Sequence, residues 1–185
     1  MEVTKVIIGD GETFADVVRS AAASESTPLV WFLDAKASPR KDTLQHLLNF
    51  APRPAASLAV DTRDRPIEAL LGGVVRADLE QILSAIKECA IPLRHIHPTS
   101  ILVPRDQIAA LPPPDPDRFG SYAGTEWTAR LFRHQPGILV PASKVQIDEY
   151  QPGSLLEILR VARTLHWRRS ETIRELQRSL TDRSR

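Results

Sequence analysis

The chain of 185 residues contains one cysteine, Cys89, and no Cys/His grouping at zinc-ligand spacing. A lone thiol forms no internal disulfide, so secreted disulfide scaffolds and zinc fingers are excluded and a reducing cytoplasm is the expected compartment. Long apolar runs are also missing. The longest, Leu29 to Leu33, is far short of the roughly 20 residues that a membrane-spanning helix needs. The N-terminus shows no basic-then-apolar export pattern. Net charge is nearly absent: 24 basic and 23 acidic residues leave +1, which supplies no bulk attraction to nucleic acid or anionic lipid. No internal repeat is visible.

What is present is the composition of a soluble globular domain, 42% hydrophobic and 25% charged, with enough length to bury its own core. The charge is unevenly placed. Residues 154–185 carry eight Arg against four acids, while residues 1–153 carry 16 basic against 19 acidic groups. The tail is therefore where a polyanion or a membrane surface would bind. Fifteen prolines, grouped at Pro52/Pro54 and Pro112 to Pro116, mark loops between periodic segments.

Val3 to Ile8 is rich in β-branched residues and runs into Gly9-Asp10-Gly11, so it predicts a buried strand. Phe14, Val17, Val18 and Ala21 form a helical stripe capped by Asp10, Glu12 or Thr13. Leu29 to Leu33 is apolar on both parities, as in a strand covered on both faces, and ends at Asp34. Ser38-Pro39 reads as the cap and first position of a helix with Leu44, Leu47 and Leu48 inside. This strand-helix alternation predicts an α/β sheet whose first two strands are parallel.

Further strands are expected at residues 57–60 and 100–103, the latter leading into a short helix through Ile108 and Leu111. Leu79, Ile82, Leu83 and Ile86 predict a helix, and Thr125 would cap another that ends with Arg133 and His134 ahead of Gly137. Two short strands, GILV and KVQI, should bracket Pro141. Leu155, Ile158, Leu159, Ala162 and Leu165 predict an amphipathic helix that continues or restarts at Ser170 with Ile173, Leu176 and Leu180.

Three segments, WFLDAKASPRKDTLQHLL at 31–48, TSILVPRDQIAAL at 99–111 and GTEWTARLFRHQPGILVPASKV at 124–145, follow one another in an informative order. Together they resemble a family 2 glycosyltransferase of the GT-A fold, in particular its rhamnosyl- and galactofuranosyl-type members. The resemblance implies a shortened GT-A-like, Rossmann-like mixed sheet over residues 1–150 and a helical extension over 151–185. It also implies a sugar-nucleotide donor held through a divalent metal on an Asp-x-Asp motif. Here that motif reads Asp34-Ala35-Lys36, and an ammonium group in the second carboxylate position opposes a hard cation. Aligning Arg130 with the family's helix arginine sets Glu126 one turn before it and puts Gly124 where the base carboxylate normally stands. Glycine abstracts no proton. Only one strand and one helix precede the Asp34 strand, so part of the nucleotide-binding half is missing as well.

Each candidate residue has a functional and a plain reading. Asp34 is either a ligand position or a cap or loop residue, since open α/β sheets bind ligands at strand carboxyl ends. Lys36, Arg40 and Lys41 are either an anion site that replaces the metal with fixed cations or solvated surface charge. Glu126 and Arg130, at i and i+4, are either residual proton and acceptor groups or a surface helix pair. His95 and His97 would share one face of a strand, as half-exposed side chains or as metal ligands. Cys89 reads as core, and Trp167 with Arg168 and Arg169 as a packed ring or an interfacial anchor.

The expected protein is thus a pseudoenzyme that binds a glycan, a sugar nucleotide or a partner glycosyltransferase, with docking or self-association through residues 154–185. A metal-independent transferase is the enzymatic alternative, with Lys36, Arg40 and Lys41 facing the leaving diphosphate. A third reading is polyanion or membrane-surface binding through the tail. No cofactor is expected unless Asp34 retains its metal. Nucleic acid is a disfavoured partner, and the expected location is cytoplasmic, either free or peripheral at the inner membrane face.

Overall fold

Strand runs that are apolar on both parities need helices on both faces of the sheet, and the architecture meets that need. The computed structural model describes residues 2–9, 12–24, 27–67, 90–133, 135–148 and 154–165. In chain order these form β1 (Val3–Ile8), α1 (Phe14–Ala23), β2 (Leu29–Asp34), β3 (Ala37–Pro39), α2 (Thr43–Leu48), β4 (Ala55–Val60), β5 (Ile91–Leu93) and β6 (Ser100–Pro104). There follow α3 (Arg105–Ala109), α4 (Pro116–Phe119), a 3-10 turn (Gly120–Tyr122), α5 (Ala123–Leu131), β7 (Gly137–Ile147) and α6 (Leu155–Thr164).

The fold is α/β, built on a mixed seven-stranded sheet in the order β1-β2-β6-β4-β7-β3, with β5 also on β7. β1 and β2 are parallel, as their helical connection requires. β6 runs antiparallel to both β2 and β4, and β4 is parallel to β7. One face carries Val30, Phe32, Leu58, Ile101, Val103 and Leu139 under α1, α3 and α5, whose Val18, Ile108 and Trp127 are buried there. The opposite face carries Leu29, Trp31, Leu33, Leu102 and Val145 against Leu47 of α2. α1 begins at Thr13, which forms a capping box with Asp16.

Several local expectations are corrected. Ser38-Pro39 does not open α2; it belongs to β3, at the sheet edge, where the missing proline N–H removes no ladder bond. GILV and KVQI are one strand, because Pro141 falls where the β4–β7 register shifts between Ser57 and Leu58 and the extra residues bulge out. α5 starts at Ala123 rather than after Thr125, since the preceding 3-10 turn already sets its helical direction. Gly137 is no helix cap: it opens β7 with its Cα packed against the Phe132 ring. β1 is not buried but is a half-exposed edge, with Ile7 51% exposed.

Ser154 and Glu157 form the capping box of α6, which packs Ile158 and Val161 against Tyr122. The expected helix at Leu79, Ile82, Leu83 and Ile86 lies outside the described residues. So do Asp10, Cys89, His134, Trp167, Arg168, Arg169 and the continuation from Ser170.

Candidate functional site

The topology brings one set of strand ends together. β1, β2, β4 and β7 all point the same way, and β6 starts where β2 ends. Asp34 closes β2 at this end. Its backbone N–H donates to Thr99 O (2.9 Å), and the next residue, Ala35, donates to Ile8 O at the end of β1 (3.1 Å). The segment between β5 and β6 therefore lies beside Asp34, carrying His97 and Thr99, whose Nδ1 and Oγ1 are 3.1 Å apart.

Asp34 is half-buried, and its Oδ1 accepts a hydrogen bond from the Lys36 backbone N–H (2.8 Å). This is an Asx turn, so the loop reading of Asp34 is realised in its geometry. The Lys36 side chain is exposed. One carboxylate near a buried, neutral imidazole is a poor donor set for a divalent cation, which favours several hard oxygen ligands. Among the described residues, no three His, Cys, Asp or Glu side chains are grouped to hold a metal ion.

Both histidines are kept neutral. Burial lowers His95 to about 4, with Arg94 adding to the effect. Burial also lowers His97, opposed by the Asp34 charge. Neither lies on a strand: β5 ends at Leu93, and Pro98 interrupts any further ladder. His97 joins the Asp34 end, whereas His95 is buried beside Ile96, whose backbone N–H and C=O both bond the Thr128 hydroxyl of α5.

Of the three cations of the expected anion site, Arg40 is engaged elsewhere. Arg40 follows β3 and pairs with Asp64, which Lys144 of β7 also reaches at 2.8 Å. The hydrogen bond from Lys144, with Arg40 adding its charge, holds the Asp64 carboxyl below its ordinary value. Lys36 and Lys41 are exposed. Arg40 is thus committed to a surface ion cluster along the β3 edge and not aimed at Asp34.

Glu126 and Arg130 are no loose surface pair. Their side chains are only 11% and 21% exposed, joined at 2.9 Å. The Arg130 guanidinium also donates to Pro112 O (3.0 Å) and Pro113 O (3.2 Å). Two consecutive prolines leave carbonyls with no local N–H to meet, and Arg130 satisfies them while Glu126 fixes its angle. The pair staples the proline-rich loop to α5.

Gly124 is the most informative position. A Cβ there would stand 2.5 Å from Pro98 Cγ and 3.2 Å from Phe14 Cδ1. α5 approaches the β5–β6 segment and the start of α1 so closely that no side chain fits between them. The Gly124 position is packed shut.

Two structural features escaped the sequence reading. Arg105 donates to the Ala21 carbonyl at the end of α1 (2.7 Å) and to Thr27 O, tying that helix to the start of β2. A buried chain of hydroxyls also crosses the sheet, from Trp31 Nε1 to Ser100 Oγ (3.0 Å), Ser57 Oγ (2.8 Å), Ser143 Oγ (2.8 Å) and Thr43 O (2.9 Å). Its signal was present as single serines inside buried apolar strands, each of which needs a partner. The placement of His97 near Asp34 left no signal in the residue spacing.

In comparison with known proteins, the chain matches no family model and no curated protein.

Proposed function

We propose that this chain is a catalytically lapsed glycosyltransferase-like domain of GT-A type that acts by binding a sugar nucleotide, a glycan or a partner transferase. The observation that carries this reading is the closure at Gly124 by Pro98 and Phe14. A transferase of this type needs a base beside its acceptor, and the aligned position has neither a carboxylate nor room for one.

Other features support the same reading. The three resembling segments correspond to β2–β3–α2, β6–α3 and α5–β7. The first two place their strands side by side, with Asp34 at a strand carboxyl end of the kind that binds ligands in open α/β sheets. The donor set at Asp34 does not suit a divalent metal, so no step is assigned to one.

The metal-independent alternative has less support. It needs Lys36, Arg40 and Lys41 to converge on a diphosphate, but Arg40 is already paired with Asp64. Glu126, its residual proton carrier, is occupied by Arg130.

The test is nucleoside diphosphate release from a panel of sugar nucleotides, with and without manganese, alongside a thermal-shift screen of the same panel and of candidate glycans. No release, together with a raised melting temperature for a bound member, is the expected result. Turnover that disappears in Asp34→Ala would overturn the lapsed reading. Nucleotide binding that survives chelator and vanishes in Lys36→Ala, together with turnover, would transfer the conclusion to the metal-independent enzyme.

A further inference from the structure

Natural sheets guard their edges with proline, bulges, short strands, charged side chains or a covering element, because an open edge recruits another strand. Among the described residues, β1 has no proline, no bulge and no covering strand, and Lys5 is its single charged residue. It is six residues long, contains no proline and pairs with β2 without a register break. Among the described residues, only β2 pairs with it. Its one charge, Lys5, lies over the sheet with its ammonium 5.4 Å from the Trp31 ring, where it does not block the edge. Ile7 is half-exposed on the same face.

The outward-facing groups follow from one hydrogen bond. Ala35 N–H donates to Ile8 O, so the backbone groups of Ile8 face β2, and by strand alternation so do those of Val6 and Thr4. The N–H and C=O groups of Val3, Lys5 and Ile7 therefore face outward.

We propose that two copies of this chain join edge to edge through β1, antiparallel, with Val6 of each copy at the two-fold axis. The choice of a second copy rests on self-complementarity. A continuous sheet across a two-fold axis requires opposed residues to lie on the same face, so only residues of equal parity can face one another. The register that centres on Lys5 sets two ammonium groups directly opposite and is disfavoured. The next register sets Lys5 opposite the partner's Ile7, Thr4 opposite the partner's Ile8, and Val6 opposite the partner's Val6. It is also the register in which Lys5 and Ile7, both facing outward, exchange backbone bonds with the partner as hydrogen-bonded pairs. The exposed Ile7 then lies against the aliphatic stem of the partner's Lys5, whose head is held by its own Trp31.

The test is the molar mass of the full chain by light scattering across a concentration series, with charge swaps that read the register. The parent should run at twice the mass of one chain. Ile7→Lys sets like charges opposite at two symmetric places and should return the mass to one chain. The double variant Lys5→Glu/Ile7→Lys converts both into opposite-charge pairs and should restore the dimer.

Three results would overturn the proposal: a parent that is monomeric at every concentration, a dimer indifferent to Ile7→Lys, and a double variant that stays monomeric while folded by circular dichroism. Should Ile7→Lys not fold, amide exchange on the parent decides. Protection of Val3, Lys5 and Ile7 that rises with protein concentration is expected. Protection independent of concentration would overturn the proposal.

Discussion

The two faces of the sheet solve the same burial problem with different chemistry, and a tryptophan at the centre of each makes the contrast measurable. Under α1, α3 and α5 the core is apolar, with Phe14, Phe32 and Trp127 packed edge to face at 5.5 to 6.1 Å. Trp127 is fully buried, and its Nε1 has no hydrogen-bond partner among the described residues. Under α2, Trp31 is also buried, but its Nε1 donates into the serine chain.

That chain has only one consistent direction. Ser143 gives its single hydroxyl hydrogen to Thr43 O, so Ser57 must donate to Ser143, Ser100 to Ser57, and Trp31 to Ser100. The polar face fixes which strands are neighbours and how they are staggered. The apolar face supplies most of the burial. An orphaned indole is a tolerated cost there because the ring contributes large apolar area.

The largest expected effect is on the apolar face. Trp127→Ala empties the centre of the aromatic trio and should cost about 3–5 kcal/mol, read by chemical denaturation. A milder substitution sharpens the contrast. Replacing either tryptophan by phenylalanine removes the same atoms, but Trp127→Phe discards an unsatisfied donor while Trp31→Phe discards a used one. Trp31→Phe should therefore be the more damaging by about 1–3 kcal/mol, even though Trp127 is the more deeply buried ring. Equal losses would mean that Trp127 Nε1 has a partner after all.

At the rim of the apolar face sits buried His95, neutral because burial has lowered it to about 4. In the unfolded chain it titrates near its ordinary 6.5, so between these values the unfolded state binds the extra proton. Stability should rise with pH through this window and fall as the pH drops from 6.5 toward 4. The gap corresponds to about 3 kcal/mol from His95, with His97 acting in the same direction. His95→Gln should flatten that part of the stability–pH curve, and an unchanged slope would refute the assignment. On the polar face, Ser57→Ala cuts the hydroxyl chain at its middle and leaves Ser100 without an acceptor, at a cost of about 1–3 kcal/mol.

Much of this contrast was legible in the residues. Leu29 to Leu33, apolar on both parities, identified a doubly covered strand, and the stripe of Val17, Val18 and Ala21 identified the helix above it. What stayed hidden depended on contacts between distant residues. Ser38-Pro39 has the local chemistry of a helix start, yet pairing with residues 145–146 of β7 makes it an edge strand. Glu126 and Arg130 have the spacing of an exposed pair, and only the carbonyls of Pro112 and Pro113 explain their burial. At the candidate site, the position of Asp34 at the end of the Leu29–Leu33 run was readable in the sequence. The closure at Gly124 depends on Pro98, 26 residues earlier, and on Phe14, 110 residues earlier.

The smallest effect expected belongs to the surface ion cluster around Asp64. Asp64 sits in the left-handed region at φ 62°, which aspartate tolerates, and joins Arg40 to Lys144, with the Arg40 and Asp64 side chains about half-exposed and that of Lys144 partly buried. Water and salt screen such groups, so Asp64→Asn should change stability by no more than about 0.5–1 kcal/mol, and the difference should shrink further in high salt. The same variant frees the Arg40 guanidinium. If Arg40 is held away from Asp34 by Asp64 alone, Asp64→Asn should gain measurable affinity for inorganic diphosphate over the parent. If β3 itself fixes where Arg40 points, the affinity will not change, and the direction of Arg40 is then a property of the sheet and not of one ion pair.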